Sequence, residues 1–346
     1  MAVAELALPV RLLAGGGPSS PDPRVLRAMG LPVIGQFDPA FTAIMDDVMD
    51  LARRTFLTSN QRCFPVSGLA SAGIEAVLNS VIEEGDRVAI SGGAWFVERT
   101  AEIARCCGAR VIPFDQLGPE TKLLVAPSVD PASATVVDVQ ALARRCRADS
   151  VRLLVDATLG LAACPLRVDD WGIDACVAGV DHAVGAPSGM ALVTYSPEVE
   201  SLMRARKQPP RTSYLDLLQL QAYWSPERLN HHTVPTSLVY GLREALRLVL
   251  EEGLEDRWAR HRRTGESLRN GLKTLGLHVD GGLAFANVRP PSNVSEGDAR
   301  RRLLEDYGIH ITLIARQTWR VGLLGADALQ RNVERVLTSF EKVLAE

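Results

Sequence analysis

The chain has 346 residues, of which 47% are hydrophobic and 23% charged, with a formal net charge of -3. A single core stops growing near about 250–300 residues, so this length predicts a large unit plus a smaller one, and the composition excludes a disordered or fibrous protein. The small, interspersed charge argues against a nucleic acid or a membrane surface as the main partner and leaves a small-molecule role.

In chain order, the opening MAVAELALPVRLL has no basic n-region and carries Glu5 and Arg11, so it does not read as a secretory signal. The longest apolar stretches, such as LLVDATLGLAACPL, are broken before the roughly 18 residues that a membrane span needs, and a soluble, cytoplasmic protein is expected. Residues 1–20 read as an irregular arm ending in the turn-rich AGGGPSSPDP. A helix is predicted from Thr42 to Phe56, followed by CFPVSGLASAG and the helical run IEAVLNSVIEEG, which stops at Gly85.

Short apolar runs then alternate with helical ones: RVAIS, FVERTAEIARCCG, ARVIPF, KLLVAPS, VVDVQALARRC and VRLLVDA. Two further strand candidates, IDACVAG and GMALVTYS, bracket the loop VDHAVGAPS. Strands separated by helices of about 10–15 residues imply βαβ units around a mainly parallel sheet. A long helical segment from Thr236 to about Leu275, interrupted near Gly253, hands over to LHVDGGLAFANVRP, the helix GDARRRLLEDYG, IHITLIA, TWRVGLL and a last helix from Ala326. The expected division is an arm over 1–20, a large unit over 21–255 and a small α/β unit over 256–346.

Ligands of open parallel sheets bind beyond the C-terminal strand ends. Ser67-Gly68-Leu69-Ala70-Ser71 precedes a helix, so its N–H groups can cradle a phosphate, although a plain tight turn has the same composition. Asp156 closes VRLLVD, where a carboxylate points either at the cleft or into a local turn. His182 sits in a loop after another strand, and Arg320 lies inside the apolar TWRVGLLG, where an arginine needs an anion: a ligand carboxylate or an internal acid. The six cysteines show neither zinc-ligand spacing nor a disulfide frame.

Taken together these segments resemble the class V, fold-type I pyridoxal-phosphate (PLP) aminotransferases of the alanine–glyoxylate and serine–pyruvate kind, over nearly the whole chain. LLAGGGPSSPDPRVLRAM, LPVIGQFDPAF, SGLASAGIEA, GARV, LLVDA, GIDACVAG, GAPSG, SYLD, HHTVP, LREAL and RVGLLG follow in the family's order. The resemblance implies a large domain with a mainly parallel seven-stranded sheet, a small C-terminal α/β domain, and a homodimer with shared active sites acting on a small amino or keto acid. It assigns Asp156 to the cofactor's pyridine nitrogen, Phe96 to ring stacking, Leu69, Ala70 and Ser71 to the phosphate loop, Thr233 to the partner subunit's phosphate, and Arg320 to the substrate carboxylate. The adjacent His231 and His232 are expected to point apart and hold no metal.

The departures are equally specific. Where the family's loop ends in glutamine-lysine, this one reads Asp181-His182, and only four lysines occur in the chain. PSVDPASA replaces the family's Ser-Thr-Gly loop, with Ser133 as the one candidate equivalent, and Asn230 stands at a tyrosine position. Without the Schiff-base lysine, PLP or pyridoxamine phosphate (PMP) is expected to be held non-covalently. His182, oriented by Asp181, is expected to serve as the proton shuttle in an atypical transamination, elimination or dehydration, since imidazole titrates near neutrality. The alternative is a non-catalytic homologue that keeps the pocket for binding or regulation.

Overall fold

Six short parallel strands and one antiparallel strand form the frame on which everything else is mounted. In the computed structural model, which describes residues 5–283, 285–292 and 294–345, these are β1 (Arg62–Ser67), β2 (Arg87–Ile90), β3 (Arg110–Ile112), β4 (Thr121–Pro127), β5 (Arg152–Asp156), β6 (Ala175–Gly179) and β7 (Met190–Tyr195). Their spatial order is β1-β7-β6-β5-β4-β2-β3, and β7 alone runs against its neighbours. The strands are buried apolar runs because helices cover both faces. The first four residues of the predicted arm and Ala284 of the segment LHVDGGLAFANVRP lie outside the described residues.

Strand β1 is not legible as a strand in CFPVS because Pro65 interrupts it. It is tolerated because β1 is an edge strand, paired only with β7. The helix after it, α1 (Ala70–Val81), starts four residues earlier than the apolar periodicity from Ile74 indicates, and it ends at Val81, where Ile82 is already extended. Gly73 explains how closely α1 lies on the sheet: a Cβ there would come within 2.6 Å of Val177 and 3.1 Å of Ala191. This contact holds the N-terminus of α1 over the C-terminal ends of the strands. The next helix, α2 (Ala94–Cys106), follows β2 in the same way.

The predicted long helical segment divides at Gly253 into α3 (Thr236–Glu252) and α4 (Leu254–Thr274). Helix α4 contributes Leu254 and Trp258 to the large core and Leu268 and Leu272 to a second core, so the handover occurs inside a helix. The second unit carries a four-stranded antiparallel sheet of β8 (His278–Asp280), β9 (Phe285–Arg289), β10 (Thr312–Ala315) and β11 (Thr318–Gly322), in the order β10-β11-β9-β8. IHITLIA thus splits: Ile309–His310 pairs in parallel with Leu12–Leu13 of the arm, and Leu12 and Ala14 join the second core. No helix among the described residues is long and apolar enough to cross a membrane.

Candidate active site

The C-terminal ends of β1, β2, β4, β5 and β6 all open on one cavity of about 540 Å³, as expected for loops leaving parallel strands. Ala70, Ser71, Phe96, Asp156, His182 and Arg320 line it, so six residues singled out in the sequence converge from four strand ends and the second unit. Leu69 and Thr233 do not line it: Leu69 is exposed at the start of α1, and Thr233 is exposed in the segment before α3. Trp95, Arg99, Val129, Thr158 and Ile314 line it without having been singled out. Trp95 and Arg99 share one face of α2, one turn apart, while Val129, Thr158 and Ile314 come from separate strands and strand ends, so no single spacing in the sequence marks the set.

Asp156 both faces the cavity and makes a local turn: one carboxylate oxygen accepts the Thr158 N–H at 2.9 Å. Burial raises its pKa above the usual carboxylate range, and the hydrogen bonds with Thr158 and the charge of His182 pull the other way. A half-buried carboxylate without an ion-pair partner among the described residues is suited to a protonated ring nitrogen of a ligand. Phe96, buried in the first turn of α2, supplies a flat apolar wall. At the start of α1, Ala70 and Ser71 present the positive end of the helix dipole and one hydroxyl.

His182 is held on three sides. Its Nδ1 lies 3.0 Å from Asp181 Oδ1, and the other Asp181 oxygen accepts the Ser188 hydroxyl at 2.7 Å. Burial opposes the Asp181 charge, but the bonds from His182 and Ser188 and the charge of His182 outweigh it and lower its pKa to about 2. An ionised Asp181 fixes the proton on Nδ1 and leaves Nε2 as the free nitrogen. The arm closes the remaining side: Ser19 donates its backbone N–H to the Asp181 carbonyl at 2.9 Å and its hydroxyl to the His182 carbonyl at 2.5 Å.

The glycine run of the arm acquires its reason here. A Cβ on Gly16 would meet Arg320 Cδ at 2.8 Å, and one on Gly17 would meet His182 Nε2 at 2.4 Å. The turn-rich AGGG therefore threads between the two polar groups of the cavity, where no side chain fits. Arg320 stacks over Phe285 at 4.8 Å and donates to the Pro131 carbonyl, but its Nε is buried without a partner and among the described residues it pairs with no acid. Burial lowers its pKa, with Asp130 opposing. Asp130 is already engaged by the N–H groups of Gly93 (2.6 Å), Ser133 (2.8 Å) and Ala132 (3.1 Å). The internal-acid explanation for Arg320 thus finds no acid. Ser133, the candidate equivalent of a family serine, donates its hydroxyl to Asp130 at 3.0 Å.

None of the four lysines lines the cavity: Lys122 pairs with Asp86 at 2.6 Å and Lys342 lies over the Tyr307 ring. Asn230 accepts from Gln36 at 3.1 Å. His231 and His232 do not point apart as expected. Their Nδ1 atoms are 2.9 Å apart, with Ser67 Oγ 3.1 Å from His232 Nε2 and the Ser213 carbonyl 3.0 Å from His231 Nε2. One tautomer order satisfies this chain: His231 Nε2–H donates to Ser213, His232 Nδ1–H to His231, and the Ser67 hydroxyl to His232. Every ring nitrogen is then used.

Comparison with known proteins identifies the family and the fold. The aminotransferase class-V family matches residues 41–280. The chain is 37% identical to the (S)-ureidoglycine–glyoxylate transaminase of Bacillus subtilis (strain 168), covering 98% of this chain and 92% of that one. It is 31% identical to the alanine–glyoxylate aminotransferase of Oryctolagus cuniculus, covering 98% and 94%. Among solved structures, the ureidoglycine–glyoxylate aminotransferase of Bacillus subtilis superposes with a TM-score of 0.93 at 38% identity, over 99% of this chain and 95% of that one. The pyridoxamine–pyruvate aminotransferase of Mesorhizobium loti gives 0.88 at 26%, over 97% and 92%. The expected fold-type I architecture is thereby established.

Proposed function

Since the chain belongs to the class-V aminotransferase family, we propose that it acts on a small amino or keto acid with PLP or PMP held non-covalently, His182 moving the proton that the family's lysine otherwise moves. The single observation that carries this reading is the placement of His182. It lines one cavity with Asp156, Phe96 and Arg320, with Nδ1 tied to Asp181, in a lining that contains no lysine.

The residues fit the cofactor. Asp156 offers an uncompensated carboxylate to a ring nitrogen, Phe96 a face for the ring, and the N-terminus of α1 with Ser71 a cradle for phosphate. When bound, the cofactor supplies an electron sink for the substrate's α-carbon. Arg320 then takes the substrate carboxylate, which gives its buried guanidinium the anion it lacks. His182, through Nε2, accepts or returns the α-proton, while Asp181 holds the ring in one tautomer and offsets the charge that the ring gains. Thr233, exposed and outside its own chain's cavity, is consistent with a contact to the phosphate of a second subunit in a cytoplasmic homodimer with shared sites.

The test combines two measurements. Borohydride reduction of the protein saturated with PLP, followed by peptide mapping, is expected to yield no phosphopyridoxyl-lysine peptide; recovery of one would sink the assignment. Difference spectra with PLP or PMP and a panel of amino and keto acids are expected to show substrate-dependent bands that His182→Ala abolishes. A second reading, a binding protein without catalysis, is favoured by the poverty of the phosphate cradle, where Leu69 and Ala70 offer only main-chain groups. Ligand binding with unchanged spectra would establish it instead.

A further inference from the structure

The His182 loop is gripped from behind, on the side away from the cavity. Arg257, in the first turn of α4, is only 6% exposed. Its Nη2 donates to the Ala183 carbonyl at 2.6 Å, and its Nη1 donates to Glu252 at 2.5 Å. Glu252 also receives Nε and Nη2 of Arg260, at 2.5 and 2.8 Å. Arg260 in turn donates to the carbonyls of Gly325 (3.0 Å) and Ala328 (2.8 Å) in the second unit. The circuit closes on the same histidine: a Cβ on Gly325 would lie 3.1 Å from the His182 carbonyl oxygen.

We infer that Arg257, braced by Glu252, is a positioning residue that sets where the His182 imidazole stands in the cavity. The inference rests on the proton-moving role proposed above for His182. A buried ion pair is seldom worth more to stability than well-packed apolar groups, so its presence here asks for another reason. The reason is directional. The guanidinium is a rigid fork whose two arms meet a carboxylate and a carbonyl at once, whereas a lysine ammonium on a flexible stem cannot hold both lines together. The carbonyl it holds belongs to the residue directly after His182, so a shift of the fork is transmitted to the backbone that carries the imidazole. Because Arg260 ties the same carboxylate to residues 325–328, the placement of His182 is referenced to both units of the chain.

The test uses the full-length protein with PLP. One readout is exchange of the α-hydrogen of alanine into D2O, and the other is the imidazole nitrogen signals of 15N-histidine-labelled protein, with His182 assigned from His182→Ala. Arg257→Met is expected to lower exchange about 10²-fold, the order produced by a misplacement near 1 Å, with half-saturation by alanine unchanged. It is also expected to turn the single His182 tautomer into a mixture, and Arg257→Lys is expected to recover part of both. In a His182→Ala background Arg257→Met is expected to add nothing. An equal drop in that background, or His182 signals identical to those of the unaltered protein, would overturn the inference. If His182→Ala alone leaves exchange unchanged, the proton-moving role fails, and the nitrogen signals still decide the positioning. Where the methionine variant does not fold, Arg257→Lys carries the same two readouts.

Discussion

Replacing Arg320 by methionine separates its function from its structural worth. In the site, a carboxylate would gain two charge-assisted hydrogen bonds from the guanidinium, each worth about 1.5–3 kcal/mol. Allowing for the water that each group gives up, a net loss of about 3 kcal/mol, or roughly 10²-fold in Kd, is expected on removing them. Stability responds differently because the terms oppose. Methionine relieves the unpartnered Nε, worth about 1–3 kcal/mol, and removes a buried cation that forms no ion pair among the described residues. Against this stand the lost stacking on Phe285, about 0.5–2 kcal/mol, and the Pro131 carbonyl left without its donor, about 1–3 kcal/mol. The net change is therefore expected within about 2 kcal/mol. The assay is titration of glyoxylate or pyruvate into the PMP-saturated protein by calorimetry, beside urea denaturation of the cofactor-free protein. Binding within twofold of the original, or a stability loss above about 4 kcal/mol, would refute the carboxylate-clamp argument and make Arg320 a structural residue.

Two further outcomes follow from the same geometry. Burial, reinforced by the Arg257 and Arg260 charges, pushes the His261 pKa down to about 3, against about 6.5 in the unfolded chain. Between those values the unfolded chain binds a proton that the folded chain refuses, so stability falls as pH drops from about 6.5 toward 3; in His261→Gln that part of the slope is expected to vanish, and an unaltered slope in thermal melts across this range would contradict the assignment. Gly17→Ala puts a Cβ 2.2 Å from His182 Cδ2 at a φ of +125°, so roughly 1–3 kcal/mol of backbone strain adds to a displaced imidazole. A lower melting temperature and an approximately 10²-fold slower α-hydrogen exchange are expected, and parity with the unaltered protein on both would show that the arm does not pack on His182.

The elements that were easiest to read were those whose burial is periodic. The alternation from RVAIS to VRLLVDA and the break at Gly253 appear in the strands and helices in the same order, with ends shifted by up to three residues, because a strand covered on both faces must be apolar throughout and a glycine ends a helix. Strand β1 is not legible in the sequence because its proline is acceptable only at an edge, and edge position is a property of the assembled sheet. The early start of α1 escaped because Ala70 to Gly73 carry almost no hydrophobic signal, although Gly73 is what brings that helix onto Val177. The contact between His231 and His232 is not legible locally because it depends on Ser67 and Ser213, which only the fold brings to the two rings.

What the sequence determined by itself is the order of elements and the identity of the groups that matter: a histidine at the lysine position, an acid at the end of β5, and an arginine inside an apolar strand. These follow from local chemistry, since residue type, periodicity and turn propensity act over a few neighbours. Only the tertiary structure decided which groups share a cavity, that Arg320 forms no ion pair among the described residues, that the triple glycine of the arm passes between Arg320 and His182, and that Arg257 grips the His182 loop. Each of these is a contact between segments dozens to hundreds of residues apart. Such contacts are fixed by how the sheet, the helices and the second unit close on one another, and no local preference encodes them.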